Sequence, residues 1–385
     1  MAGLKSTNAV AAFAMLLTGC AQVSEDRLPA VPAESVGVID THYHAAWQNG
    51  DDAAGLEARL EEMDAKGISV SALFVTSEDD LDLWFDAAPR RFIAGPMFPC
   101  PPLDGEQLFC FDDNDGWPDL AWVERELQSG RIGLLGELTL NYYGIPPTDP
   151  RLDPYFALAA RYDVPVLAHT NSGPPPRRGP RRYEGCCPDY DPAMGDPALW
   201  RPVLEKYPGM RLVLQHSGFP YPAGPGGKVY LEETFALMRD YPDVYADMSV
   251  LNALWDEDSY RLAMQKVVEA GMIERIMFGS DNNDPTVVFA RLARMEFLSD
   301  TDRRAILHDN AARFFRLAAD QGDADAQERQ VLGRQSRRDV HRDRRRSSGA
   351  RRTFCARRRS LRRYASELPL GRADAGGRPD GDRRE

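Results

Sequence analysis

Eight short, almost uninterrupted apolar runs punctuate residues 36–281, and between them lie stretches whose apolar residues fall three and four apart. The runs are 36–40 (VGVID), 69–75 (SVSALFV), 92–98 (FIAGPMF), 132–138 (IGLLGEL), 164–169 (VPVLAH), 211–216 (RLVLQH), 244–249 (VYADMS) and 275–281 (RIMFGSD). Continuous apolar content, in place of strict alternation, marks strands of a parallel sheet covered on both faces. The intervening stretches read as helices. One carries Leu56, Leu60 and Met63 and stops at Gly67; another carries Leu120, Val123 and Leu127 and stops at Gly130. A third opens at Asp196-Pro197 and closes at Tyr207-Pro208-Gly209. Eight strands alternating with helices over about 280 residues predict an α/β chain folded as a (β/α)8 TIM barrel, with a doubly wound open sheet as the second choice. No glycine-rich phosphate loop of either common pattern accompanies the strands, so nothing points to a nucleotide.

The histidines fall where such a barrel does its chemistry. Of the six, at 42, 44, 169, 216, 308 and 341, four lie at or just past the carboxyl ends of expected strands. That face carries the active site in (β/α)8 enzymes. His42 and His44 are two apart in Asp40-Thr41-His42-Tyr43-His44, so on extended backbone both imidazoles project from one side. His169 closes strand five, His216 strand six and Asp281 strand eight, with Glu137 near the end of strand four. One strand-end histidine alone is commonly a packing or capping residue; four of six gathered there are hard to obtain by chance. Histidines with two carboxylates make the ligand set of a borderline metal such as zinc.

Residues 36–318 resemble the amidohydrolase superfamily, in the amidohydrolase-related branch that includes aminocarboxymuconate-semialdehyde decarboxylase and pyrone-dicarboxylate lactonase. The resemblance rests on the 40–44 element, on Ala168-His169, on Gln215-His216-Ser217-Gly218, on Phe278-Gly279-Ser280-Asp281 and on the run from Ile306 to Phe315. It implies that His42, His44 and Asp281 hold a first metal. His169 would either complete that site or hold a second metal with His216; with one ion, His216 would be a free base or carbonyl polariser. Glu137 sits where binuclear relatives carry a bridging carboxylate or carbamylated lysine. The plainer reading of Glu137 is a carboxylate paired with a cation beneath the site, so one ion or two are both allowed.

The chemistry follows from that ligand set. A zinc-type ion lowers the pKa of bound water towards neutrality. Asp281 is placed to take the water proton and return it to the leaving group, and His216 to polarise the carbonyl or stabilise the anion formed on it. The expected activity is hydrolysis of an amide, lactone or ester of a small organic molecule. The same resemblance admits a metal-dependent decarboxylase acting on a carboxylated small molecule. A reading of another class, an envelope binding protein on a degenerate barrel, conflicts with the presence of His42, His44, His169, His216 and Asp281 together. The longest expected loop, 170–194, carries Arg177, Arg178, Arg181 and Arg182 after three prolines. Four arginines above an acidic barrel suit a carboxylate or phosphate on the substrate; a solvated, proline-stiffened loop is the simpler alternative. Tyr142, Tyr143 and Trp255 are candidates for the pocket wall.

The two ends of the chain differ in charge. The net charge is -12, but residues 1–328 hold 28 basic against 52 acidic side chains, and 329–385 hold 19 against 7. Nucleic acid is therefore not an expected partner of the barrel. Residues 329–363 contain 15 arginines and no lysine. Such a segment cannot collapse into a core, and three readings fit it: a basic arm for anionic headgroups or nucleic acid, neutral disorder, or a shifted reading frame. At the other end, Lys5 precedes an apolar stretch from Ala9 to Leu17 that is too short to cross a bilayer. It ends in Leu17-Thr18-Gly19-Cys20, which resembles a bacterial lipobox. That resemblance implies a signal over 1–19, lipidation of Cys20, and anchoring in the envelope. Ala21 favours the periplasmic side of the outer membrane. Residues 20–35 are a polar, proline-broken tether, 36–318 the barrel and 319–385 the tail. In an oxidising periplasm Cys100 and Cys110 are able to close a loop. The barrel is expected to act as a monomer or homo-oligomer.

Overall fold

The computed structural model describes residues 37–45, 53–99, 111, 116–170, 189–219 and 229–317. Eight strands run through them: β1 (Val38–His44), β2 (Ile68–Val75), β3 (Phe92–Pro96), β4 (Leu135–Leu138), β5 (Val166–His169), β6 (Leu212–Gln215), β7 (Val244–Asp247) and β8 (Ile276–Met277). The helices between and after them are α1 (Ala53–Lys66), α2 (Glu78–Ala87), α3 (Leu120–Ser129), α4 (Asp153–Tyr162), α5 (Arg201–Lys206), α6 (Leu231–Asp240), α7 (Leu251–Leu254), α8 (Glu257–Glu269), α9 (Pro285–Arg294), α10 (Asp300–Arg304) and α11 (Asn310–Phe315). Their ends follow local chemistry. Asp119 caps α3 by accepting from the Trp122 N–H, and Gly130 ends it in the left-handed conformation. Asp196 caps the turn at Pro197, which runs on into α5.

Every paired strand is parallel to its neighbour, in two arcs ordered β1-β2-β3 and β4-β5-β6-β7-β8. Backbone hydrogen bonds join the arcs on both sides. Between β3 and β4 the Phe98 N–H donates to Glu137 O at 3.1 Å and the Gly133 N–H to Ala94 O at 2.9 Å. Across the seam, Thr41 N–H donates to Phe278 O at 2.9 Å and Asp281 N–H to His42 O at 2.8 Å. The sheet is thus a closed (β/α)8 barrel with strands in chain order, and the open-sheet alternative is excluded.

The apolar residues sort into two cores. One lies between the strands and the surrounding helices; the other fills the barrel with Ile39, Val70, Phe74, Leu134, Leu167, Val213, Tyr245 and Met277. The final helix closes the amino-terminal end. Phe314 of α11 packs on Tyr245 with ring centroids 4.9 Å apart. The Arg211 guanidinium, ahead of β6, donates to Phe314 O, and His308 Nδ1 lies 2.8 Å from Gly37 O, ahead of β1. Six expected strands, β3 to β8, are shorter than their apolar runs, while β1 runs on past Asp40 to His44. β8 ends at Met277, and Asp281 stands four residues beyond it with a left-handed φ of 49°. His216 likewise stands just past β6, at φ 61°. Both residues leave the ladder because their backbone turns over the barrel mouth.

Candidate metal centre

Period two sends alternate residues inward, and β5, β6 and β7 each place an apolar residue low and a polar one high on that face. Leu167 is followed two residues later by His169, Val213 by Gln215, and Tyr245 by Asp247; the apolar member of each pair belongs to the interior core. β1 contributes His42 and His44, both buried. Glu137 follows Gly136, whose φ of 138° suits only glycine and where a Cβ would collide with the Leu167 carbonyl. Gly279 is held small for a similar reason: a Cβ there would come within 2.8 Å of the His42 Cβ.

Four donors form the first cluster. His42 Nε2 and His44 Nε2 are 3.1 Å apart, and Glu137 Oε2 lies 3.6 and 3.4 Å from them. Asp281 Oδ1 lies 3.5 and 3.2 Å from the same two nitrogens. Donors about 2.1 Å from a tetrahedral ion stand roughly 3.4 Å from one another, so each of these five separations is close to such an edge, and His42, His44 and Asp281 lie near enough together to share one ion. A second cluster shares Glu137. Its Oε1 is 2.7 Å from His169 Nδ1 and 3.2 Å from His216 Nε2, and those nitrogens are 3.2 Å apart. The second cluster has three protein donors and the first has four. Asp281 is the member nearest solvent, with a side chain 15% exposed against 4% or less for His42, His44 and Glu137.

An outer layer orients the imidazoles. The Ser249 hydroxyl donates to Asp247 Oδ1, so its oxygen is left to accept from His42 Nδ1 at 3.1 Å and His216 Nδ1 at 2.9 Å. Asp247 Oδ2 also faces His42 Nδ1 at 3.4 Å, and Asp247 Oδ1 accepts the His216 backbone N–H at 2.9 Å. The Gln215 carboxamide also meets His42 Nδ1, at 2.8 Å, and with the proton on that nitrogen it is the amide oxygen that accepts. Protons held on these Nδ1 atoms turn the Nε2 lone pairs of His42 and His216 towards the centre. A proton held on the nitrogen away from the centre is how metal-ligating histidines are oriented. Below, Asp40 Oδ1 accepts the backbone N–H of His42 at 3.1 Å and of Ser280 at 2.8 Å.

The electrostatics call for added positive charge. Burial pushes the His42 imidazole down, but Asp281, Glu137 and Asp247 outweigh it and hold His42 well above 6.5. Burial raises Glu137, yet His42, His169 and His216 bring it well below its ordinary value. Asp281 and Asp247 are held low against burial by His42 and its neighbours. Three ionised carboxylates buried together require protonated imidazoles or metal cations. The donor set of nitrogens and carboxylate oxygens, with outward protons fixed by hydrogen bonds, fits divalent metal.

The structure therefore brings together all six residues singled out from sequence as ligands: His42, His44, Glu137, His169, His216 and Asp281. Among the described residues the ion-pair partners of Glu137 are His42, His44, His169 and His216. Tyr142 packs its ring on His169 at 5.6 Å; Trp255 packs on Phe219 at 5.2 Å; Tyr143 packs against the outer core. Cys20, Arg177, Arg178, Arg181 and Arg182 lie outside the described residues, as do all the cysteines and residues 318–385. Sequence reasoning missed Asp247, Ser249 and Gln215. The signal available for Asp247 was a carboxylate ending a strand of the same barrel.

A family model described as Amidohydrolase matches residues 39–317. Solved structures are similar in fold. An uncharacterised TIM-barrel protein from Bordetella bronchiseptica is 16% identical, with a TM-score of 0.50 over 73% of this chain and 99% of that one. A probable 2-pyrone-4,6-dicarboxylic acid hydrolase from Acinetobacter baumannii, with citric acid bound, is 13% identical, with a TM-score of 0.49 over 73% and 100%. A dihydroxybenzoic acid decarboxylase from Polaromonas sp. JS666, with bound manganese and an inhibitor, is 17% identical, with a TM-score of 0.47 over 74% and 98%. A comparison with curated proteins finds no match.

Proposed function

Since the chain belongs to the amidohydrolase family, we propose that it is a metal-dependent hydrolase whose centre takes two divalent ions, zinc being the metal its ligands suit best. One observation carries the two-ion reading: the two oxygens of Glu137 face different donor clusters, Oε2 towards His42 and His44 and Oε1 towards His169 and His216. His42, His44, Asp281 and Glu137 would hold the first ion, and His169, His216 and Glu137 the second. Bound there, such ions act as Lewis acids and lower the pKa of water.

The chain's own groups do the rest. Asp281, at the rim, accepts the proton of the attacking water and returns it to the leaving group. Asp247 and Ser249 keep the His42 and His216 protons on Nδ1. With two ions His216 is a ligand; its role as a free polariser belongs to the one-ion case. Two divalent cations against the carboxylates of Glu137, Asp247 and Asp281 leave one positive charge, which favours a substrate bearing an anionic group. That excess also suits a carboxylate destined to leave as carbon dioxide, so decarboxylation is the second reading. The Arg177, Arg178, Arg181 and Arg182 loop is proposed as the outer clamp for the same anion, and Cys20 as a lipid anchor facing the periplasm.

The test is metal analysis of protein purified without chelators, followed by a screen of lactones, amides, esters and carboxylated aromatics. We expect close to two equivalents of metal, falling to one or fewer in Glu137→Gln, and acid release without carbon dioxide. Absence of bound metal sinks the reading. Carbon dioxide as the product replaces hydrolysis with decarboxylation.

A further inference from the structure

Beneath the centre lies an ion pair that touches no ligand side chain. Arg59 of α1 is 2% exposed and Asp40 of β1 is fully buried. Arg59 Nη2 donates to Asp40 Oδ2 at 2.7 Å and to Ser71 Oγ of β2 at 3.1 Å, while Nη1 donates to Glu62 at 2.6 Å. The guanidinium carbon also sits 3.8 Å over the Tyr43 ring. A buried pair of this kind adds little net stability over an apolar replacement, because desolvating both charges offsets their attraction. Its value must be sought in what it fixes.

Asp40 fixes both sides of the seam. Its Oδ1 accepts the N–H of His42 and the N–H of Ser280, and its Oδ2 accepts the Ser280 hydroxyl at 2.6 Å. Ser280 Oγ also lies 3.2 Å from His42 O. Ser280 immediately precedes Asp281, whose left-handed backbone is unfavourable for an L-residue and persists only where its surroundings hold it. One carboxylate thus sets the relative position of His42 and Asp281, which arrive from the first and last strands.

We infer that Asp40, locked by Arg59, is the positioning residue that brings His42 and Asp281 to ligand distance, so that its loss loosens metal binding without removing a ligand. The inference rests on the metal reading above. Arg59 matters because it fills the remaining face of Asp40; without it the carboxylate is buried with an unneutralised charge.

The experiment titrates the metal-free full chain with Co2+, reading visible absorption for coordination geometry and competition with a chromophoric chelator for affinity. Asp40→Asn, Arg59→Met and the milder Ser280→Ala are compared with wild type, and circular dichroism and thermal melts report the fold. We expect affinity to fall about 10–100-fold in Asp40→Asn and Arg59→Met, the usual range for outer-layer partners of metal ligands. Ser280→Ala should fall several-fold at an unchanged melting temperature, with an altered cobalt spectrum. Should Asp40→Asn or Arg59→Met fail to fold, Ser280→Ala decides alone. Wild-type affinity and spectrum in Ser280→Ala, or in any folded variant of Asp40 or Arg59, overturn the inference. Failure of the wild type itself to bind cobalt overturns instead the metal reading on which it rests.

Discussion

Asp281 occupies its place at a cost. Its left-handed φ of 49° is followed by 56° at Asn282, and Asn282 holds the turn by donating to His44 O at 2.8 Å and accepting the His44 N–H at 2.7 Å. Such a conformation at a non-glycine residue costs on the order of 1–3 kcal/mol and clusters at functional sites. What it achieves is a carboxylate beside two imidazoles that is still open to solvent, the requirement for a group that both binds and moves a proton. Replacing Asp281 by Asn keeps the size and one oxygen but removes the proton acceptor. Turnover should therefore fall by about 10²–10⁴, the usual worth of general-base catalysis. Wild-type kcat in metal-loaded Asp281→Asn would remove this residue from the mechanism. The ligands themselves were legible in sequence because period two and strand ends place them. Asp247 closes β7 and carried the same strand-end signal, whereas Ser249 carries none and only barrel closure brings it to His42.

At the scale of elements, the last helix explains a run first noticed as a family signature. The Asn310 side chain donates to Ile273 O at 2.9 Å and Ile276 O at 2.8 Å, and Phe278 N–H donates to Ile306 O at 3.0 Å. The segment around α10 and α11 thereby pins β8 at both ends, and Phe314 closes the floor of the barrel. Phe314→Ala should destabilise the fold by about 3–5 kcal/mol, as large buried aromatic truncations do. Denaturant unfolding measures this. Because the floor lies at the end opposite the ligands, metal content under native conditions should not change, and its loss would show that the two ends are coupled. The helix ends at Gly67 and Gly130 were readable from the glycines alone, with φ of 69° and 78°. The limits of β3 to β8 were not. An apolar run continues wherever a segment is buried, whereas a strand ends where its hydrogen-bond partner turns away.

Over the whole molecule, the described barrel contains no helix long and apolar enough to cross a membrane. The attachment proposed at Cys20 is tested at that residue. Cys20→Ser should abolish acyl labelling and leave the precursor unprocessed by the lipoprotein peptidase; undiminished labelling would refute the anchor. The closed ring also orders events in time. His42 and His44 belong to the three-stranded arc, whereas Glu137, His169 and His216 belong to or border the five-stranded one, and Asp281 follows its last strand. During synthesis the first arc emerges with two donors, too few to retain an ion against water. The four-donor set exists only after β8 has been made and laid against β1, with Ser280 meeting Asp40 across 240 residues of chain. Capture of the ion proposed for that four-donor set would therefore date the end of folding, and an ion held between the arcs would also be a clasp that opposes their reopening.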